Sequence, residues 1–309
     1  MAARRGRSMM RARALTAALS AAVLAAGCGS DSGSTPTLDA SSRLVDKSTT
    51  PYVNALERRA DGSFLLTTNR GFWIVAPDGS SVRQVKDARV IAPQGSSPVG
   101  TFLEIADVGT GDLLGSGHPD DPKALPQYLG ILRSQDGGRR WQVVTRLGTA
   151  DIHIIRRQGR TLYLWDAVLG AVLVSDNGLR SFAERFTPKQ LILDMVVDPR
   201  DPDYLLISSE TELYRSTDQG RRWRPSGQAR AARLAWAPTG ELYRASADGA
   251  FEQSADRGAT WKRVGELPGE PWKIELQDAR TMWVALADGS IAQTRDGGRS
   301  WAVVFEAPA

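Results

Sequence analysis

The chain has 309 residues, 41% hydrophobic and 24% charged, with one cysteine and two histidines. That composition fits a soluble globular protein of one large or two small domains and excludes wholesale disorder; a single cysteine excludes an intramolecular disulfide. The formal charge of +4 does not point to nucleic acid, because Arg4, Arg5, Arg7, Arg11 and Arg13 lie in the first 27 residues, which hold no acid, and setting those five aside leaves 34 basic against 35 acidic residues.

Residues 1–27 read as an export signal. An arginine-rich start is followed by the apolar run "ALTAALSAAVLAAG", too short to span a bilayer as a permanent helix, and then by Cys28. Residues 28–50 are rich in Gly, Ser, Thr and Asp and offer little to bury, as in a flexible tether.

Residues 51–309 are built from repeats. "SQDGGRRW" (Ser134 to Trp141), "STDQGRRW" (Ser216 to Trp223), "SADRGATW" (Ser254 to Trp261) and "TRDGGRSW" (Thr294 to Trp301) share Ser/Thr-x-Asp-x-Gly-x-x-Trp. A degenerate "VSDNGLRSF" supplies Asp176, so the aspartates Asp136, Asp176, Asp218, Asp256 and Asp296 fall 40, 42, 38 and 40 residues apart. Each octet is flanked by short β-type runs, for example "DIHIIRR", "TLYLW" and "AVLVS" before it and "WQVVTRL" after it. A period near 40 with four such runs is the pattern of a four-stranded propeller blade. Residues 52–85 repeat the pattern, with Asp78 as an eroded sixth copy. The expected fold is therefore all-β, a six-bladed propeller, with a seventh blade left open because the insertion between Val85 and Gly100 or the tether could add a strand.

The octets have a structural reading. Ser134, Ser216, Ser254 and Thr294 open the turn; Asp136, Asp218, Asp256 and Asp296 accept backbone N–H groups. Gly138, Gly220, Gly258 and Gly298 take the conformation other residues resist. Trp141, Trp223, Trp261 and Trp301 start the last strand and pack on the turn. A single active site has no use for the same residues on several blades.

On these octets the chain resembles the bacterial BNR or Asp-box β-propeller proteins, including the sialidase-like and glycosyl-hydrolase-like lipoproteins. Cys28, after small residues at the end of an apolar run, resembles the lipidated cysteine of a bacterial lipobox. The resemblance implies an exported protein held by a lipid at the outer side of the cell membrane. It implies little about activity, since such propellers include sialidases, sorting receptors and assembly factors. A sialidase of this kind uses an arginine triad, a tyrosine nucleophile and an aspartate acid/base. The Phe/Tyr-Arg-Ile-Pro motif that carries its first arginine is absent here. Tyr163, Tyr204, Tyr214 and Tyr243 fall inside repeat strands, while Arg139, Arg140, Arg221 and Arg222 fall inside the octets. No catalytic residue is assigned.

The two histidines are the remaining signal. His118 in "GSGHPDD" is expected after the second strand of the second blade, in a connection lengthened by about 18 residues relative to the repeat. His153 in "ADIHII" is expected near the start of an innermost strand. Both then lie on the face opposite the octets, with Asp120, Asp121, Asp151 and Asp166. These six form the candidate ligand site, either a polar pocket at the channel mouth or, through His118 and His153, a divalent-metal site; no cofactor or metal is assigned outright. Relatives that share "LGSGHPD" and "ADIHII" also carry histidines on the first blade, where this chain has "PYVNAL". The functional expectation is a monomeric binding or assembly module for a protein or glycan of the cell envelope, without nucleic acid and with membrane contact through the lipid alone. The alternative is a glycoside hydrolase of sialidase-like type.

Overall fold

A computed structural model of the protein describes residues 53–306 except 69, 70, 109, 110, 189 and 229. The export signal, Cys28 and the tether lie outside the described residues. Among the described residues there are only strands, and no helix long and apolar enough to cross a membrane.

Five antiparallel sheets have four strands each, in simple sequence order. The first comprises β1 (Val53–Arg58), β2 (Phe64–Thr68), β3 (Gly71–Val75) and β4 (Val82–Gln84). Next come β10 (Ile152–Gln158), β11 (Thr161–Asp166), β12 (Ala171–Ser175) and β13 (Ala183–Phe186), then β14 (Ile192–Asp198), β15 (Asp201–Ser209), β16 (Glu212–Ser216) and β17 (Arg224–Gln228). The last two are β18 (Arg233–Trp236), β19 (Leu242–Ala245), β20 (Ala250–Ser254) and β21 (Lys262–Glu266), and β22 (Pro271–Leu276), β23 (Met282–Leu286), β24 (Ile291–Thr294) and β25 (Ala302–Phe305).

The expected count of six blades is corrected to five. The remaining stretch forms a closed five-stranded sheet of β5 (Arg89–Ala92), β6 (Gly95–Asp107), β7 (Leu113–Pro119), β8 (Ile131–Ser134) and β9 (Arg140–Thr145). Here β5 pairs antiparallel with β6 and parallel with β9, so Val90 meets both Ser97 and Trp141. Part of the extra length between Asp78 and Asp136, expected in the connection after His118, is thus spent ahead of it, on β5 and its hairpin. It supplies a fifth strand to one sheet and not a further blade. The innermost strands β1, β6, β10, β14, β18 and β22 touch in a closed ring around a central channel. The ring closes side by side, with no strand exchanged between its ends: Trp283 of β23 meets Phe64 of β2 edge-on at 5.0 Å and donates its Nε1–H to Pro77 O at 2.8 Å. Apolar side chains from adjacent sheets form the core between them.

Each octet is the turn from the third to the fourth strand. Ser134 Oγ donates to Asp136 Oδ1 at 3.0 Å while accepting from Gly138 N–H at 2.9 Å, and Asp136 Oδ1 also accepts from Arg140 N–H at 2.9 Å. Trp141 closes the turn by donating Nε1–H to Gly138 O at 2.9 Å. The same four bonds recur at Ser216, Ser254 and Thr294. The four octet glycines have φ between 78° and 92°, the left-handed region that glycine tolerates without steric cost. In the degenerate copy Asn177, not Asp176, takes the carboxylate's place: its Oδ1 accepts from Ser175 Oγ and from Ser181 N–H, both at 3.1 Å. An amide oxygen accepts as a carboxylate does, so the register follows the serine. At Asp78 the carboxylate accepts only from Ser80 among the described residues.

These bonds pull the octet carboxylates down. Hydrogen bonds from the Thr260 hydroxyl and N–H and from Ser254 lower Asp256 to about 2, and Ser300 and Thr294 lower Asp296 further. A carboxylate held below its ordinary value of 3.8 in the fold contributes stability that is complete above that pH and is lost as pH falls toward 2. The melting temperature is therefore expected to decline between about pH 4 and pH 2. A chain with Asp256→Asn and Asp296→Asn should melt lower at pH 6 and lose less over that interval; an unchanged acid profile would contradict this account.

Candidate functional site

The channel has three levels. On the face opposite the octets, four innermost strands carry a β-bulge at their start, so that Asn54, His153, Leu193 and Trp272 are each an extra residue against the partner strand. Bulges re-aim side chains at the rims of closed sheets, and here they set the channel mouth. Trp272 is 37% exposed, and the Arg233 guanidinium lies 4.6 Å from its ring centre. Trp272 Nε1–H reaches Asn54 O at 3.3 Å, and Arg233 Nη1 donates to Leu193 O at 2.5 Å. Burial lowers Arg233 despite nearby Asp194 and Glu104, and it has no contact ion pair among the described residues.

On the other side of this mouth, sequence neighbours from two units meet. His118 Nδ1 lies 2.8 Å from Gln127 O, which can only accept, so Nδ1 carries the proton and Nε2 is left to face Asp151 Oδ1 at 3.8 Å. Asp151 Oδ2 accepts from His153 Nε2 at 3.0 Å. Asp151 and His118 are 3% and 8% exposed, and Nε2 and Oδ1 are both closed off and unpaired. His153 is the accessible member, with 21% of its side chain exposed. Two features hold this arrangement: Ser116 Oγ accepts Ile152 N–H at 3.1 Å, tying β7 to β10, and Gly100 lies so close to the end of β7 that a Cβ would sit 2.7 Å from His118 O and 2.6 Å from Asp120 N. No larger residue fits at position 100 without moving the backbone that carries His118.

The six candidates thus divide. His118, Asp151 and His153 come together. Asp166 lies beneath them, fully buried, its Oδ1 accepting N–H groups of Asp151, Val168 and Leu169 at 3.1–3.3 Å, and burial raises its carboxyl despite those bonds and Arg146. It caps a turn and cannot touch a ligand directly. Asp120 and Asp121 are exposed; Asp121 takes Lys123 N–H at 2.9 Å and gives its own N–H to Ser97 Oγ. Neither meets an imidazole among the described contacts. No group of three or more His, Cys, Asp or Glu among the described residues is placed to hold a metal ion. Sequence reasoning missed Asn54, Arg233, Trp272 and Tyr128, whose ring centre is 5.8 Å from that of His118. A bulge leaves no mark in an alternating pattern, so nothing in the sequence aimed Asn54 or Trp272 at the mouth.

At mid-channel a charged plug joins four units. Glu104 Oε1 accepts from Arg156 Nη1 at 2.9 Å and from Lys273 Nζ at 2.7 Å; Arg156 Nη2 reaches Asp194 Oδ1 at 2.6 Å. Burial alone would lower Arg156, but Asp194 and Glu104 hold it above the ordinary arginine value.

No family model and no curated protein matches the chain. Solved structures do. YCF48 from Cyanidioschyzon merolae aligns at a TM-score of 0.50 and 14% identity over 82% of this chain and 85% of that one. A structure described as YCF48 bound to D1 peptide aligns at 0.51 and 16% over 79% and 76%. The WD40 β-propeller domain of Doa1 aligns at 0.55 and 13% over 84% and 83%. The fold is that of a β-propeller. At such identities the likeness concerns fold alone, and the Asp-box resemblance rests on the octets themselves.

Proposed function

We propose that this protein is a binding module that holds a protein partner at the channel mouth opposite the octets. The observation that carries the reading is the exposed Trp272 with Arg233 stacked on it and, among the described residues, no carboxylate in contact with that guanidinium. Tryptophan and arginine are the residue types that most often dominate protein interfaces, because a large ring and a planar donor fork gain most when a partner covers them. His153 adds an accessible imidazole across the mouth, on a floor fixed by Asp151 and His118. That one propeller of similar fold is described as bound to a peptide supports the reading in kind. Lipid attachment at Cys28 and display on the outer side of the cell membrane belong to the same proposal. A glycosidase reading gains nothing at this mouth, where Asp151 and Asp166 are 3% and 0% exposed.

The test is site-specific photo-crosslinking in the native envelope, with a photoreactive residue in place of Trp272 and, separately, of the exposed octet residue Arg222. A protein adduct from position 272 that is absent from position 222, and that disappears when Arg233→Ala is added, is the expected result. Equal adducts at both positions, or a glycan adduct alone at 272, would overturn the assignment. Release of Cys28→Ala into the medium checks the anchor; retention in the membrane contradicts it.

A further inference from the structure

Below the plug, the channel opens on the octet face into a cavity of about 300 Å³. Apolar wall comes from Ile155, Val196, Leu234 and Trp236. The bases that border it are occupied: Arg156 and Lys273 by Glu104 in the plug, Arg157 by Gly159 O at 2.9 Å. The acids are not equally served. Glu57 uses Oε1 to accept Asp107 N–H at 2.8 Å, and Glu275 has no hydrogen bond or ion pair among the described residues. One open-ended cavity therefore holds, among the described residues, a half-buried carboxylate with no partner, a second with an oxygen to spare, and an aromatic wall.

We propose that this end of the channel binds a single alkylammonium group, held by Glu275 and Glu57 with its carbon stem against Trp236. An ammonium carries three donors and matches the spare carboxylate oxygens, while its stem suits walls that are largely apolar. Calcium, which takes six to eight oxygen ligands, finds too few here. The charged groups facing the pair are Glu104 and Asp107 from β6, Arg156 and Arg157 from β10, Asp194 from β14 and Lys273 from β22. Their balance agrees with the geometry: burial first, then partial cancellation by Lys273 and Arg156, leaves Glu275 at about 7, and burial with repulsion from Glu275 raises Glu57. Without a cation the pair is thus short of positive charge, and a proton competes for it.

The source of the ammonium is either a free amine or a lysine side chain of a partner, and the experiment separates them. Purified full chain is titrated calorimetrically with butylammonium and with a blocked lysine tripeptide at pH 6 and pH 8. Binding should tighten roughly tenfold from pH 6 to pH 8, as expected when one carboxyl of pKa about 7 must ionise. Glu275→Gln should weaken it at least tenfold and flatten the pH dependence, with Glu57→Gln as a second variant whose fold is checked by circular dichroism. Trp272→Ala, on the opposite face, should leave it unchanged, so that failure here and failure of the mouth assignment are distinguishable. Binding of butylammonium alone assigns a free amine, and binding of both probes assigns a lysine side chain. Full affinity in Glu275→Gln, or no saturable binding by either probe, overturns the proposal.

Discussion

Glu104→Gln is expected to destabilise the fold by about 3–5 kcal/mol, the usual consequence of removing one partner from a buried charge pair. Glu104 is 4% exposed and its Oε1 takes both Lys273 Nζ and Arg156 Nη1. Arg156 would keep Asp194, but Lys273, 8% exposed, would lose the only carboxylate in contact with it among the described residues. A largely buried ammonium without its carboxylate pays most of its desolvation cost uncompensated. The plug also links the second, third, fourth and last units of the ring, so its loss is felt by several sheets together. Denaturant unfolding gives the magnitude, and melting should fall by roughly 2–4 °C per kcal/mol for a domain of this order of size. Pairing Glu104→Leu with Lys273→Met should recover most of the loss, because the cost lies in the uncompensated charge and not in missing bonds. A loss under about 1 kcal/mol in the single variant would show that the plug is solvated.

The contrast between the plug and the octets explains what could be read from the chain. Every bond of an octet joins residues at most four apart, so Ser134, Asp136, Gly138 and Trp141 announce their geometry by spacing alone. The same logic misled at Asp176, since the signal was an aspartate and the turn needed only a carbonyl-type oxygen after Ser175. The fifth strand of the second sheet was hidden for another reason. β5 pairs parallel with β9 across about fifty residues of chain, and the stretch that carries it, "VIAPQGSSP", has the prolines and glycine of a loop. His118, Asp151 and His153 were legible because strand order alone brings a second strand and the next innermost strand to one face. Glu104 and Lys273 stand 169 residues apart and meet only when the ring closes. Neither is marked by any local pattern, and the unpaired Glu275 two residues further on is equally silent.

Among the four octet tryptophans, Trp141→Ala should be the most damaging, at about 3–5 kcal/mol. Trp141 is fully buried, whereas Trp223, Trp261 and Trp301 are partly exposed. Its ring stands edge-on to Phe72 of the first sheet, with centres 6.2 Å apart, inside the cluster that also holds Leu65, Val90 and Leu132. The tryptophan is therefore a joint between two units as well as the lid of its own turn. Substitution by alanine opens a cavity that backbone on both sides cannot fill, and it leaves Gly138 O without its donor. It also weakens the seam where β5 runs beside β9, because Trp141 is the residue paired with Val90. Parallel unfolding curves for the four alanine variants test the ranking. Equal losses would mean that each tryptophan acts only within its own turn; a distinctly larger loss at Trp141 would locate the extra stability in the junction between the first blade and the closed sheet.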